Sequence, residues 1–499
     1  MVRRIGCCLL VLCILLFSCG CDDAPPLPDT DEEIKPTTVT PVPEEPLTFA
    51  LAYSRDDTLN PFAATTEVNL WLAPLLYDSL TVITEGYVSQ LSLAADVVTP
   101  DPTHLVVSLR EGAVFFDGSA VTANDVVKSF QAAQQSPNYA ALLTNLTSAK
   151  ADSKTGKVTF TLALPDIHAN ACLTFPIVKA STLTDRAAEA PVGGGLYMTR
   201  RTDDGLQLVK NPHHPTKVHF SEVVLRHLPN SSARYYALAS GQLAYYFDDV
   251  SEGEIPRVMG ASQPVELNVR LMLGINSAHE QLALPAVRQA IGLMLDRSDM
   301  AAVYGDSGYV TASPFPTEWL PMDGCTPPSA EQNVEEAKRL LTEAGYPLKG
   351  KELPELRLIY RANRKDRAVV AEHIRTQAEA CGVKIVLTPL SESAYGQALL
   401  AGEYELYLGE FRPGADMSLR SLLLGGETSY GVAEESVAKA AYLRYLAGEI
   451  PLQEFLDIFA TDAPYIPLCG WGGVAAYDRR LTTVTPTGYN PYHGIAVWQ

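Results

Sequence analysis

"LREGAVFFDGSAVTANDVVKSF", residues 109–130, reads as strand, turn, helix in twenty-two residues. The alternation in "THLVVSLR" (103–110) suits a strand with one buried face. Asp117-Gly118 is a turn pair. Thr122 then stands where a helix needs an N-cap. Asp125, three residues on, supplies the reciprocal acceptor of a capping-box-like start.

Working outward, "LTFALAYS" (47–54) and "KVTFTLALP" (157–165) alternate like strands, and Glu67 to Tyr77 carries helical apolar spacing. Further on, "NVEEAKRLLTEAGYP" (333–347) predicts a helix. Asn333 caps it, Glu336 reaches back, and Val334, Ala337, Leu341 and Ala344 share one face. Gly345 and Pro347 end it. "LRLIY" (356–360), a helix started by Asp366 and stopped by Gly382, and "VKIVL" (383–387) make a βαβ unit whose two strands should run parallel. The 499 residues exceed one compact core, so two or three domains are expected, of α/β class at least in the C-terminal half.

The N-terminus differs in kind. "MVRRIGCCLLVLCILLFSCGC" has two arginines and an apolar run shorter than the roughly 20 residues of a membrane-spanning helix. That is a secretory leader pattern. Ser18-Cys19 and Gly20-Cys21 both resemble a bacterial lipobox, and Leu16, three residues before Cys19, favours Cys19 over Cys21 as the lipidated thiol. Residues 1–18 are then a signal peptide. Residues 19–46, acidic and proline-rich without apolar periodicity, are a disordered tether. Five of the nine cysteines lie in this leader. Cys172, Cys325, Cys381 and Cys469 are scattered, with no C-x-x-C pair, so neither a zinc site nor a dithiol site is expected. A disulfide among the four is left open. The formal net charge of -20 disfavours nucleic acid as a partner.

From residue 47 onward the chain resembles the extracytoplasmic solute-binding proteins of ABC importers, in the branch (family 5) with oligopeptide-, dipeptide- and nickel-binding members. The 109–130 segment carries most of the resemblance. "DTLNP" (57–61), "LLYDSLT" (75–81), "PVGGGLY" (191–197), "ALASGQL" (237–243), "AVRQAIGLMLDR" (286–297), "EEAKRLLTEAGY" (335–346) and "YIPL" (465–468) follow in the family's order. The resemblance implies a two-lobed, periplasmic-binding-protein-like α/β fold of type II, in the large class with an extra N-lobe subdomain. Its mixed sheets would be joined by a hinge of crossing strands. Lobe 1 would comprise 47–274 plus 471–499, with the subdomain at about 86–190, and lobe 2 would comprise 275–470. It also implies a monomer without enzymatic activity or cofactor, anchored by lipid on the extracytoplasmic face of the cell membrane. Such a protein captures a small solute, most often a short peptide, for ABC permease subunits. A metal chelate, amine or sugar as ligand, or a sensory role, is the alternative.

The chain departs from the family where ligand is bound. Peptide-binding members carry Gly-Trp-x-x-Asp, whose Asp meets the peptide ammonium. Here "YLGEFRPGADMSLRSLL" (407–423) puts Glu410-Phe411 at Gly-Trp, and Asp416 comes five residues after the aromatic, with Arg412 and Pro413 between. If Asp416 faces the cleft, its partner is a cation. If Arg412 does, a carboxylate suits its planar fork. Otherwise both are solvated loop residues or pair with each other. Glu410 is a third candidate acid. Trp471 in "PLCGWGGVAAY" (467–477) and Tyr197 after three glycines either stack on ligand or pack in the core. The same choice holds for Tyr245, Tyr246 and Phe247.

Two other constellations carry less. "GDSG" (305–308) matches the nucleophile motif of trypsin-like proteases over four residues only, with no companion His and Asp in place. His213, His214, His219 and His227 form a candidate metal cluster, with the first pair read as loop and the other two as strand residues. No metal site is expected from them.

Overall fold

The computed structural model describes residues 47–184, 190–249, 260–346, 352–425 and 429–499. The leader, Cys19, Cys21, the tether and Pro347 lie outside these described residues.

The largest sheet organises the molecule. Its path runs Tyr245–Asp249, Tyr465–Tyr477, Arg270–Ile275, Leu406–Phe411, Leu356–Arg361, Ile385–Leu390. Leu356–Arg361 pairs in parallel with both Ile385–Leu390 and Leu406–Phe411, and the helix Lys365–Ala380 connects the first two. This is the βαβ unit expected from sequence. The thirteen-residue strand Tyr465–Tyr477 reaches furthest. Its first third pairs with Arg270–Ile275, and its last third pairs with Tyr245–Asp249 on one side and Ala261–Glu266 on the other. Two backbone segments, 261–275 and 465–477, thus run from the α/β half into the N-terminal half as the hinge.

The N-terminal half holds two four-stranded sheets. In one, Ala50–Tyr53 lies parallel to Glu222–His227, and Gly205–Lys210 and Tyr197–Thr202 follow antiparallel. The other is fully antiparallel: Ala94–Asp101, His104–Leu109, Val158–Leu162, Leu146–Ala151. The decisive segment behaves as its sequence dictates. Helix Ala123–Gln135 starts on a full capping box. Thr122 Oγ1 accepts from the Asp125 amide at 3.4 Å, and Asp125 Oδ2 accepts from the Thr122 amide at 2.9 Å. Val126, Phe130 and Ala133 then face a core with Phe160 and Phe175.

Local reading fails at two helix starts. Asn333 caps Val334–Glu343 by accepting from the Glu336 amide at 3.1 Å. The Glu336 carboxylate, however, turns outward to Arg339 at 2.7 Å instead of reaching back. The next helix begins at Lys365, with Arg364 at the cap. Asp366 sits inside the first turn and is buried, because it is recruited by Arg364, Arg367 and the Tyr304 hydroxyl. His219 lies outside any strand, whereas His227 ends one. The glycine triplet serves packing. A Cβ on Gly195 would stand 2.4 Å from the carbonyl carbon of Leu76, so only glycine lets the two backbones pass.

Candidate functional site

The main cavity, about 550 Å³, opens where the two halves face each other. Tyr77, Asp78, Tyr87 and Tyr139 line it from the N-terminal half, and the loop Arg412–Ala415 from the α/β half. Asn268 and Tyr489 lie between. The loop follows directly from the central strand Leu406–Phe411, so the sheet fixes its root. Asn268 Nδ2 donates to the Pro413 carbonyl at 3.2 Å and fixes its middle. Arg412, half-exposed, reaches across to the other half. Its Nη2 donates to the Asp249 carboxylate at 2.5 Å.

A side cavity of about 220 Å³ continues past Tyr87 and Ala415, which line both spaces. Here lies Asp416, only 9% exposed. A Cβ on the neighbouring Gly414 would come within 3.0 Å of its carboxylate, so glycine keeps this approach open. Asp416 has two weak donors, the Ser418 amide at 3.3 Å and the Cys172 thiol at 3.5 Å. Burial, reinforced by the nearby Asp166, pushes its carboxyl up to about 6. Arg420 Nη2 donates to Asp166 at 3.0 Å, and no arginine is bonded to Asp416 among the described residues. His168 shares the side cavity. Its Nε2 is 2.7 Å from the Tyr445 hydroxyl, and burial holds its pKa down against the pull of Asp166. A third space of about 510 Å³, lined by Asp101, Asp166 and Leu446, meets the side cavity at Ile167 and Asn170.

The loop residues singled out from sequence separate sharply. Arg412 lines the main cavity and Asp416 the side cavity; they do not pair with each other. Glu410 points away into a network, accepting from Arg367 Nη2 at 2.7 Å with Arg364 at 3.7 Å. Phe411 is buried in the core of the α/β half. Trp471 is fully buried. It stacks on Tyr304 at 4.6 Å with the Arg367 guanidinium 5.2 Å from its ring centre, so the ligand-stacking alternative gives way to core packing. Tyr197 is likewise fully buried and donates to the Phe220 carbonyl at 2.8 Å. Tyr245, Tyr246 and Phe247 are core residues. Among the described residues the four remaining cysteines are free thiols, and none of the His, Cys, Asp and Glu side chains gather as a metal site. No helix among them is long and apolar enough to cross a membrane.

Sequence reading missed Tyr87, His168 and Trp319, which wall the side cavity from three distant segments. Tyr87 adopts φ 54°, left-handed backbone that disfavours a bulky residue, as does Met417 beside Asp416 at φ 51°.

The family model described as "Bacterial extracellular solute-binding proteins, family 5 Middle" matches residues 89–427. The heme-binding protein A of Haemophilus influenzae is 25% identical over 347 residues, 64% of this chain and 61% of that protein. The oligopeptide-binding protein AppA of Bacillus subtilis is 24% identical over 328 residues, 60% of this chain and 58% of that one. The matches thus span about three fifths of these curated relatives. The periplasmic murein tripeptide-binding protein MppA, in its unliganded open form, superposes with a TM-score of 0.74 at 18% identity, covering 89% of this chain and 95% of its own.

Proposed function

Because the chain belongs to the family 5 bacterial extracellular solute-binding proteins, we propose that it is the monomeric receptor of an ABC importer. It captures short peptides between two lobes and presents them to the permease subunits. The lobes are 47–274 with 471–499, including a subdomain at about 86–190, and 275–470. The carrying observation is the cavity of about 550 Å³ with walls from both halves of the chain. A solute that touches both walls favours the closed arrangement by its differential affinity, so occupancy becomes a shape that a permease reads. The side and third cavities prolong the main one, which suits an extended chain over a compact solute.

In this reading Asp416 meets the ligand's cationic group and Arg412 lies where a carboxylate passes. Glu410, Phe411, Trp471 and Tyr197 support the fold and do not touch ligand. The protein needs no cofactor. It is held on the extracytoplasmic face of the cell membrane by acyl chains on Cys19, because more than one chain is needed to retain a soluble domain. Cys19→Ser should release it into the soluble fraction; release by Cys21→Ser alone would move the anchor to Cys21.

A thermal-shift screen of short peptides against heme, metal chelates, amines and sugars tests the ligand class. Bound solute should raise the melting temperature in step with RT ln(1 + [L]/Kd). Stabilisation by another class with none from any peptide contradicts the peptide reading.

A further inference from the structure

The side cavity is larger and more aromatic than a bare ammonium needs. An ammonium is about the size of a water, whose share of liquid volume is about 30 Å³; this space is about 220 Å³. Its walls include Tyr87, His168 and Trp319, and His168 lies 4.9 Å from the Trp319 ring centre. Polar groups share the lining with these rings. Asp416 is more than nine-tenths buried, lines the cavity and has no cationic partner among the described residues. Ser89 Oγ is buried without a partner at the same wall, and Asn170 completes the set.

On the Tyr87 side, Glu266 and Glu318 outnumber Arg270 among the charges that act on the wall, and the Asp416 side is acidic too. Among the described residues, Asp166 and Asp416 lie near one guanidinium, Arg420, whose Nη2 donates to Asp166 while its Nε has no partner. Cys172 is held neutral by burial, and burial keeps His168 towards its neutral form. One negative charge therefore faces an aromatic-walled space. A bare ammonium is a compact, strongly hydrated point charge. A guanidinium or alkylated ammonium is weakly hydrated, spreads its charge and gains from ring faces. Left-handed backbone occurs at Tyr87 in the wall and at Met417, next in sequence to Asp416, and strained residues of this kind cluster at ligand clamps.

We propose that the side cavity is a selectivity pocket for a bulky, charge-delocalised organic cation on the solute, a guanidinium or N-alkylated ammonium. The Asp416 carboxylate holds it, and the rings of Tyr87, His168 and Trp319 wall it. The assignment rests on the interlobe cleft being the solute site, and it names the class of group that the cleft selects.

The test titrates the purified protein at pH 7.5 with methylguanidinium chloride and with tetramethylammonium chloride, by calorimetry and tryptophan fluorescence. Ammonium chloride and neutral tert-butyl alcohol are run at matched ionic strength. At least one organic cation should bind saturably, and the tighter one tells guanidinium from alkylammonium. Ammonium should bind about tenfold more weakly and the alcohol not at all. Asp416→Asn should weaken the cation about tenfold or more, and Trp319→Leu by a similar factor. Trp319→Phe and a folded-state check by circular dichroism separate lost ring contact from lost fold, and Tyr87→Leu gives a second wall variant. The proposal is overturned if neither organic cation saturates, if ammonium binds as tightly, or if Asp416→Asn and Trp319→Leu change nothing. If a peptide from the screen binds and ignores Trp319→Leu and Tyr87→Leu, the pocket assignment fails while the receptor reading stands. If no solute of any class binds, both fail.

Discussion

Two acidic clusters flank one loop in the α/β half, and they are built on opposite principles. Asp366 and Glu410 meet Arg364 and Arg367, two carboxylates for two guanidiniums, with Trp471 and Tyr304 stacked against the group. Burial alone would raise the Asp366 carboxyl, but Arg364 and Arg367 outweigh it and hold the group below the usual range. Asp416, six residues after Glu410 in sequence, is about as buried as Asp366 and lies beside a second acid, with no cationic partner among the described residues. The first cluster is closed on itself and serves the fold. The second keeps an unmet charge at a cavity, the condition a ligand can complete.

The contrast breaks first at Arg367. Arg367→Met leaves buried Asp366 and part-buried Glu410 with Arg364 alone and removes the cation above Trp471, so urea denaturation should show a loss of about 3 kcal/mol. A loss under about 1 kcal/mol would mean the network is not what holds this part of the fold. Asp416→Asn should act with the opposite sign. The folded carboxyl titrates near 6 and the unfolded one near 3.8, so its favourable contribution is full below pH 4 and is lost as pH rises through 6. Above that the charged form is the burden. At pH 8 the ligand-free variant should gain on the order of 2 kcal/mol, vanishing by pH 4. A variant less stable than its parent at pH 8 contradicts an unmet charge.

Affinity gives a smaller, sharper signal. A cationic solute needs Asp416 ionised, so its affinity should fall about tenfold from pH 7 to pH 5 and be flat above pH 7. A flat profile would detach recognition from this carboxylate. Thr122→Ala, remote from both clusters, removes one cap. It should cost about 1 kcal/mol without moving solute affinity.

What the sequence disclosed was local. Thr122 with Asp125, Asn333 as a cap, and the parallel pair around Lys365–Ala380 are written in neighbouring residues. The loop 407–423 was identifiable as the place to look because its acid is displaced from the family spacing. Which side each residue faces was not legible. Arg412 finds Asp249, 163 positions earlier, and Arg367 takes Glu410, 43 positions away. Trp471 between glycines reads equally as a ligand platform or a core residue, and only its contact with Tyr304 decides. Tyr87, His168 and Trp319 share a wall because of how the halves meet, which no spacing encodes.

The most direct measurement counts protons. Binding of a short peptide from the screen, one with a cationic group, is followed by calorimetry at pH 5.5 in two buffers of different ionisation enthalpy. With the carboxyl near 6, about three quarters of the molecules carry a proton that a bound cation must expel, so the account predicts release of about 0.75 proton per peptide. Asp416→Asn should bring that number to zero. Equal heats in the two buffers for the parent protein would contradict the claim that Asp416 waits unpaired for the ligand.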